Sequence, residues 1–323
     1  IVALTVIFYL IGQTQKLWQT ALWSLAFGFG WFVTGINWVY FSMYYYGYMP
    51  LEWTYVTTCF FSLFLALFPV AAFTVAHLVV KDPIMRMAAT IPATFTIMEW
   101  LRGWLFTGFP WMNPAYAMVD SPLSGIAPFM GSFGVLLGTA WVCGLLGAIW
   151  AARGQWINRA SMGILLACVL MLGLSGQSIQ WSKPAGEVSV RMVQPNFEPR
   201  LLQQSLSERF DEMYFYLDQI TTEKVPVDVV MLPESSYPIA LQDFPQKQYE
   251  RLKSWVEKEK KTVVFNAFWR ENESFSNSAV ALSPEGNLQH HEKRHLVPFG
   301  EFVPWGFKWF VQACLLYTSD AAD

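Results

Sequence analysis

Charge is scarce in this chain: Asp, Glu, Lys and Arg make up only 14% of 323 residues, and the formal net charge is −3. The 21 Lys and Arg residues scatter instead of clustering, so there is no basic face for a phosphate backbone, and nucleic acid is excluded as a partner. Cysteine is also sparse, at four residues. Cys59, Cys143 and Cys168 fall inside apolar stretches and Cys314 lies near the end, so no spacing suggests a disulfide framework or a metal site. His290, His291 and His295 match no zinc or helix-face pattern and read as solvated side chains. Neither an internal repeat nor a low-complexity tract is present. The start lacks the basic lead and small-residue cleavage site of a secretory signal. Ile1–Ile11 is about half of the ~20 apolar residues a spanning helix needs, so the chain is expected to begin inside a span.

What the chain has in excess is apolar and aromatic surface, 54% hydrophobic and 17% aromatic residues, far outside the usage of soluble domains. A membrane protein is expected. After the partial first span, apolar blocks at Thr20–Phe41, Thr54–Val80, Ala88–Phe106, Ser124–Trp150 and Ala160–Trp181 each approach the length that closes its own backbone hydrogen bonds in lipid. Residues 1–182 therefore read as a polytopic α-helical transmembrane bundle of about five full spans plus the partial one. Basic residues alternate along the connections, with Lys16, then Lys81 and Arg86, then Arg153 and Arg159, and none in the loops between. The positive-inside rule puts those basic loops in the cytoplasm and everything after Trp181 on the far side, the periplasm of a Gram-negative cell. Trp38, Tyr40, Tyr44, Tyr45, Tyr46, Tyr48, Trp104 and Trp111 crowd the outer ends, as interfacial rings do.

Composition changes at a short linker, residues 183–186, and from Glu187 the pattern alternates strand and helix. Glu187–Gln194, Val227–Leu232, Thr262–Phe268 and Asn277–Ser283 read as strands, and Pro199–Thr222 and Gln246–Lys260 as amphipathic helices. This α/β domain is assigned to residues 187–311. The last stretch, residues 312–323, continues neither period and is expected to be a non-native or frameshifted tail.

Two residues stand out chemically. Glu234 follows the apolar run Val229–Leu232 and Pro233, so a buried strand delivers it to the carboxyl edge of a sheet, where α/β folds hold ligands. Taken alone it is equally an ordinary solvated carboxylate at a strand end. Lys293 precedes a stretch containing Pro298, Gly300 and Pro304, which must be a shaped loop rather than helix or central strand. A lysine there can hold its charge where an oxyanion forms while a nearby glutamate takes a proton from a nucleophile. A plain surface lysine beside Glu292, Arg294 and His295 is the competing reading. Glu99 and Arg102 share one helix face at membrane depth, either as a structural pair or as a device that contacts lipid head groups through Arg102. Gly134 and Gly138 form a small-xxx-small pattern suited to close helix packing.

Several runs together resemble the apolipoprotein N-acyltransferases, which carry a nitrilase-superfamily domain on a transmembrane bundle. These runs are Gly35-Ile36-Asn37-Trp38-Val39-Tyr40, Glu99–Trp111, and Leu296-Val297-Pro298-Phe299-Gly300-Glu301-Phe302-Val303-Pro304. The resemblance extends from about Gly28 to Phe310. It implies an incomplete nitrilase-like αββα sandwich outside the membrane, with the chain truncated at both ends. It also implies a two-step reaction: a cysteine thiolate takes an acyl chain from a phospholipid, and the thioester passes it to the amino group of a diacylglyceryl-cysteine on an apolipoprotein. Glu234 matches the family's general base, Lys293 its oxyanion-stabilising lysine, and Glu301 a supporting acid. Asn277 resembles an active-site asparagine, although an asparagine opening a strand is also a common turn residue.

No nucleophile is found in the chain by this reading, since Cys314 lies too close to Lys293 and its neighbours do not match the family's cysteine. Val193-Gln194-Pro195-Asn196-Phe197 departs from the family in having Pro195 where glycine is common. No metal or organic cofactor is implied, because the enzyme's own sulfur carries the acyl group. The expected setting is the bacterial inner membrane, multi-pass, with the α/β domain periplasmic, and the polypeptide as it stands is expected to be inactive. Two alternatives remain: a membrane-bound carbon–nitrogen hydrolase using the same triad on a small amide, and a transporter or scaffold with a non-catalytic binding domain.

Overall fold

The structure, a computed structural model, describes residues 1–47, 49–196, 206–222, 226–272, 274–306 and 308. The expected tail and Cys314 lie outside the described residues. The chain divides into two compact units, one of Ile1–Lys183 and Val303–Asp323, the other of Pro184–Phe302.

The first unit is helical: α1 (Val2–Gln13), α2 (Leu17–Gly35), α3 (Leu51–Val79), α4 (Ile91–Arg102), α5 (Ala127–Ala151) and α6 (Trp156–Ser178). Among the described residues, three helical stretches are long and apolar enough to cross a bilayer: Leu51–Val79, Pro122–Ala151 and Trp156–Ser178. A fourth is obtained if α2 and Val39–Tyr45, bent by 57° from each other, count as one span. Two of the expected spans therefore differ from straight rods. Thr20–Phe41 breaks after Gly35, and Ala88–Phe106 becomes a π-helical turn over Arg86–Thr90 that runs into the 12-residue α4. Pro92 sits in the first turn of α4 and has no amide to return to the preceding turn, which fits the widened geometry there.

The core of this unit is aromatic and tightly interlocked. Phe8, Phe73 and Phe95 are fully buried, with ring centroids 5.6–5.8 Å apart. Backbone meets backbone closely where α6 passes Gly125, whereas Gly134 and Gly138 face side chains of Met130 and Ile126. A Cβ on Gly176 would stand 2.0 Å from the Gly125 carbonyl oxygen, so no larger residue fits without displacing the chain.

The second unit is a mixed sheet with two helices on one face. Its strands are β1 (Val190–Met192), β2 (Val229–Met231), β3 (Tyr237–Ala240), β4 (Thr262–Glu271), β5 (Ser274–Leu282) and β6 (Leu288–Glu292), in the order β1-β2-β4-β5-β6 with β3 also paired to β4. β1, β2 and β3 join the sheet in parallel, whereas β4, β5 and β6 run antiparallel. The helices are α7 (Leu206–Thr222) and α8 (Gln246–Glu259). The expected helix from Pro199 is described only from Leu206 onward. β3 carries Pro238, which weakens any strand signal, and it pairs with β4 through a shifted register.

Strand alternation divides the sheet into two faces. Val230, Val263, Phe265, Ala267, Val280 and Leu282 are buried with Met213, Leu217 and Ile220 of α7 and Leu252 and Val256 of α8. The other parity, including Met192, Met231, Phe268 and Phe275, is exposed. Asn266 of β4 and Asn277 of β5 fall on that second parity, a placement that positions the site described next.

Candidate functional site

The site starts where β2 stops. Leu232 N–H makes a last ladder bond to the Val264 carbonyl at 2.8 Å, after which the chain turns out of the sheet. Ser235 holds the turn in a left-handed conformation (φ 60°), a strained choice for a residue with a Cβ. Its N–H donates to Asn266 Oδ1 at 2.6 Å, and the buried Ser236 hydroxyl exchanges hydrogen bonds with the Asn266 backbone at 3.0 and 3.3 Å. These anchors set Glu234 beside the β5 residue Asn277.

Lys293 arrives from the other direction, one residue past β6, with its N–H on the Asn277 carbonyl at 2.8 Å. Its ammonium Nζ lies 2.9 Å from Glu234 Oε1 and 3.0 Å from Glu301 Oε1. Asn277 Nδ2 donates to the same two oxygens, at 3.1 and 2.8 Å. Glu301 is held by its own loop: Oε2 accepts from Val297 N–H at 2.7 Å, and Glu301 N–H donates to the Val297 carbonyl at 2.9 Å. Phe299, at φ 63°, donates to Phe302 O at 2.7 Å and completes the tight fold of that loop.

One ammonium thus sits between two carboxylates. Partial burial works against the charge on Lys293, but its hydrogen bonds and ion pairs with Glu234 and Glu301 outweigh it and hold the amine above the usual lysine range. Burial likewise pushes Glu301 upward, and the Val297 amide, Asn277 and Lys293 together carry it below the usual carboxylate range. Glu234 is the open member, with 63% of its side chain exposed against 29% for Lys293 and 24% for Glu301. Chemically, this offers an accessible carboxylate oxygen beside a fixed positive charge.

Glu234, Lys293, Glu301 and Asn277, singled out in the sequence, all meet here. Arg102 does not belong to these elements. It lies in the first unit, 1% exposed, paired to Glu99 at 2.5 Å and donating to the carbonyls of Phe109 and Trp111. A head-group contact would require those carbonyls to release it. Cys59, Cys143 and Cys168 lie on α3, α5 and α6, none of which builds the site. His290 stacks on Trp269 with ring centroids 3.9 Å apart. Sequence reasoning missed Asn266, Ser235 and Ser236. The available signal was Asn266 itself, a strand-disfavoured amide inside the apolar run Val263-Val264-Phe265-Asn266-Ala267-Phe268.

Fold and site define a class: a protein with helices fit to cross a bilayer and an α/β unit bearing a Glu–Lys–Glu cluster at a sheet edge. Residues 1–145 match the family model of the apolipoprotein N-acyltransferase N-terminal domain. Over 308 residues the chain is 35% identical to an apolipoprotein N-acyltransferase of Ralstonia nicotianae, covering 94% of this chain and 58% of that protein. It is 32% identical to one from Methylococcus capsulatus (88% and 56% covered) and 30% identical to one from Pasteurella multocida (90% and 57% covered). The chain is similar to these apolipoprotein N-acyltransferases along nearly its whole length, and it spans under two thirds of the length of each of them. Among solved structures, an N-terminal amidase is matched at a TM-score of 0.26 and 19% identity over 34% of this chain and 28% of that one, too little to argue from.

Proposed function

We propose that this chain supplies the membrane unit and the base–cation part of the active site for transfer of an acyl chain from a phospholipid to the N-terminal diacylglyceryl-cysteine of an apolipoprotein. The observation that carries the reading is the placement of Lys293 Nζ 2.9 Å from Glu234, a residue 59 positions away in sequence. Glu234 Oε takes the proton of a cysteine thiol. The thiolate attacks the sn-1 ester carbonyl, Lys293 stabilises the oxyanion, and Glu234 returns its proton to the alkoxide oxygen as the lysophospholipid leaves, which restores the carboxylate. The lipoprotein α-amine then attacks the thioester, gives its proton to the same carboxylate and releases the sulfur as the amide forms. Glu301 and Asn277 hold Lys293 and Glu234 in register. The α/β unit, one sheet with helices on one face, is part of a nitrilase-like αββα sandwich carried by a polytopic bundle and facing the periplasm, so that both lipid-anchored substrates reach it.

The names of the relatives support this reading over a carbon–nitrogen hydrolase or a transporter. None of the thiols on α3, α5 and α6 is assigned as the nucleophile, and we propose that the 323-residue chain by itself forms no lipid thioester. The test grafts residues 187–302 of this chain onto the corresponding segment of the Ralstonia relative, in bilayers with labelled phosphatidylethanolamine. A hydroxylamine-sensitive acyl adduct is expected on the graft and not on the chain alone. Glu234→Gln and Lys293→Ala should each lower its formation by about a hundredfold or more. Full adduct formation in either variant would reject the assignment.

A further inference from the structure

We infer that Asn266 is a positioning residue: it fixes the amide of Asn277 so that Nδ2, and not Oδ1, faces Glu234 and Glu301. The inference rests on the reading of the Glu–Lys–Glu cluster given above.

The argument is one of hydrogen-bond polarity. Ser235 N–H is a donor only, so Asn266 must turn its Oδ1 toward it, at 2.6 Å. That leaves Asn266 Nδ2 to donate elsewhere, and it meets two acceptors, Asn277 Oδ1 at 2.5 Å and the Ser278 carbonyl at 2.9 Å. With its Oδ1 held, Asn277 has only Nδ2 free to face the two carboxylate oxygens. The relay runs one way, from the Ser235 amide to the acids. Without Asn266, nothing in these bonds stops Asn277 from rotating its carbonyl toward Lys293 Nζ, where it would replace a donor to the acids with an acceptor for the ammonium. The backbone brings the pair together for this relay, because Asn266 and Asn277 share the face opposite α7 and α8: Asn266 pairs with Ala279 and Asn277 with Phe268 in the antiparallel register.

The experiment is a double-mutant cycle on the full chain in detergent, with Asn266→Ala, Asn277→Ala and the combination. The pH dependence of carbodiimide modification of Glu301 is followed by peptide mass spectrometry, with Lys293 and Glu234 as the charged groups facing it. Asn277→Ala and Asn266→Ala should each raise the Glu301 midpoint by about one pH unit, as expected for one lost donor to a charged acceptor. The double variant should move no further. Asn266→Asp, which keeps the volume and the Ser235 contact but cannot donate to Asn277, should raise the midpoint in the wild-type background more than beside Asn277→Ala, a difference that removes its added charge. An unmoved midpoint in Asn266→Ala, or shifts that simply add in the double variant, would overturn the inference. Because no turnover is required, a failed acyl-transfer assay leaves this measurement intact.

Discussion

Lys293 and Glu301 give the site a pH signature whose two limbs have opposite signs. Glu301 titrates below its unfolded value of about 4.3, so its contribution to stability is complete above that value and is lost as pH falls through the lower, folded one. Lys293 titrates above its unfolded value of about 10.4, so its contribution is complete below that value and is lost as pH rises through the higher, folded one. Between these limits neither group makes stability depend on pH. Glu301→Gln should therefore flatten the acid limb of the denaturation midpoint followed by tryptophan fluorescence. An acid limb unchanged in Glu301→Gln would mean that this carboxylate is not coupled to folding. At the same scale, the role of Asn277 was only half legible: its type suggested a turn, and only the register that sets it opposite Lys293 shows two carboxylates within its reach.

At the scale of the element, α4 carries a buried ion pair. Glu99 and Arg102 are buried as a bidentate pair, with Arg102 also over the Phe32 ring at 5.1 Å to the centroid. Burial makes the pair a poor source of net stability but makes half of it costly. Glu99→Ala should destabilise the helical unit by about 3–5 kcal/mol, whereas Glu99→Leu combined with Arg102→Met should recover most of that loss. Thermal unfolding in detergent distinguishes the two, and equal losses in both would argue against a buried uncompensated charge. The same helix shows what hydropathy leaves out: within Ala88–Phe106 the α-helix starts only at Ile91 and ends at Arg102, ahead of Gly103, and length alone does not register the π-helical turn over Arg86–Thr90. In the α/β unit the strands with strong β-branched runs were legible, whereas β3 was not, because Pro238 weakens its local signal and its pairing comes from β4.

For the molecule as a whole, the basic loops near Lys81 and Arg153 and the α/β unit are proposed to lie on opposite sides of the membrane. In a cysteine-free background, an impermeant maleimide should label Asn287→Cys in intact spheroplasts and Gln155→Cys only after permeabilisation. The reverse pattern would turn the site toward the cytoplasm and away from lipid-anchored acceptors.

The sequence by itself determined that the chain is apolar enough for a bilayer, where its composition changes, and which glutamate and lysine to watch. Those properties are local, set by hydropathy, period and the conformational limits of proline and glycine. The tertiary structure alone decided that Glu234, Asn277, Lys293 and Glu301 share one cluster, and that Asn266 underlies it. Their convergence depends on β2 stacking in parallel on β4 and on the antiparallel register of β5 and β6, and a shift of one residue would move every side chain of a strand to the opposite face.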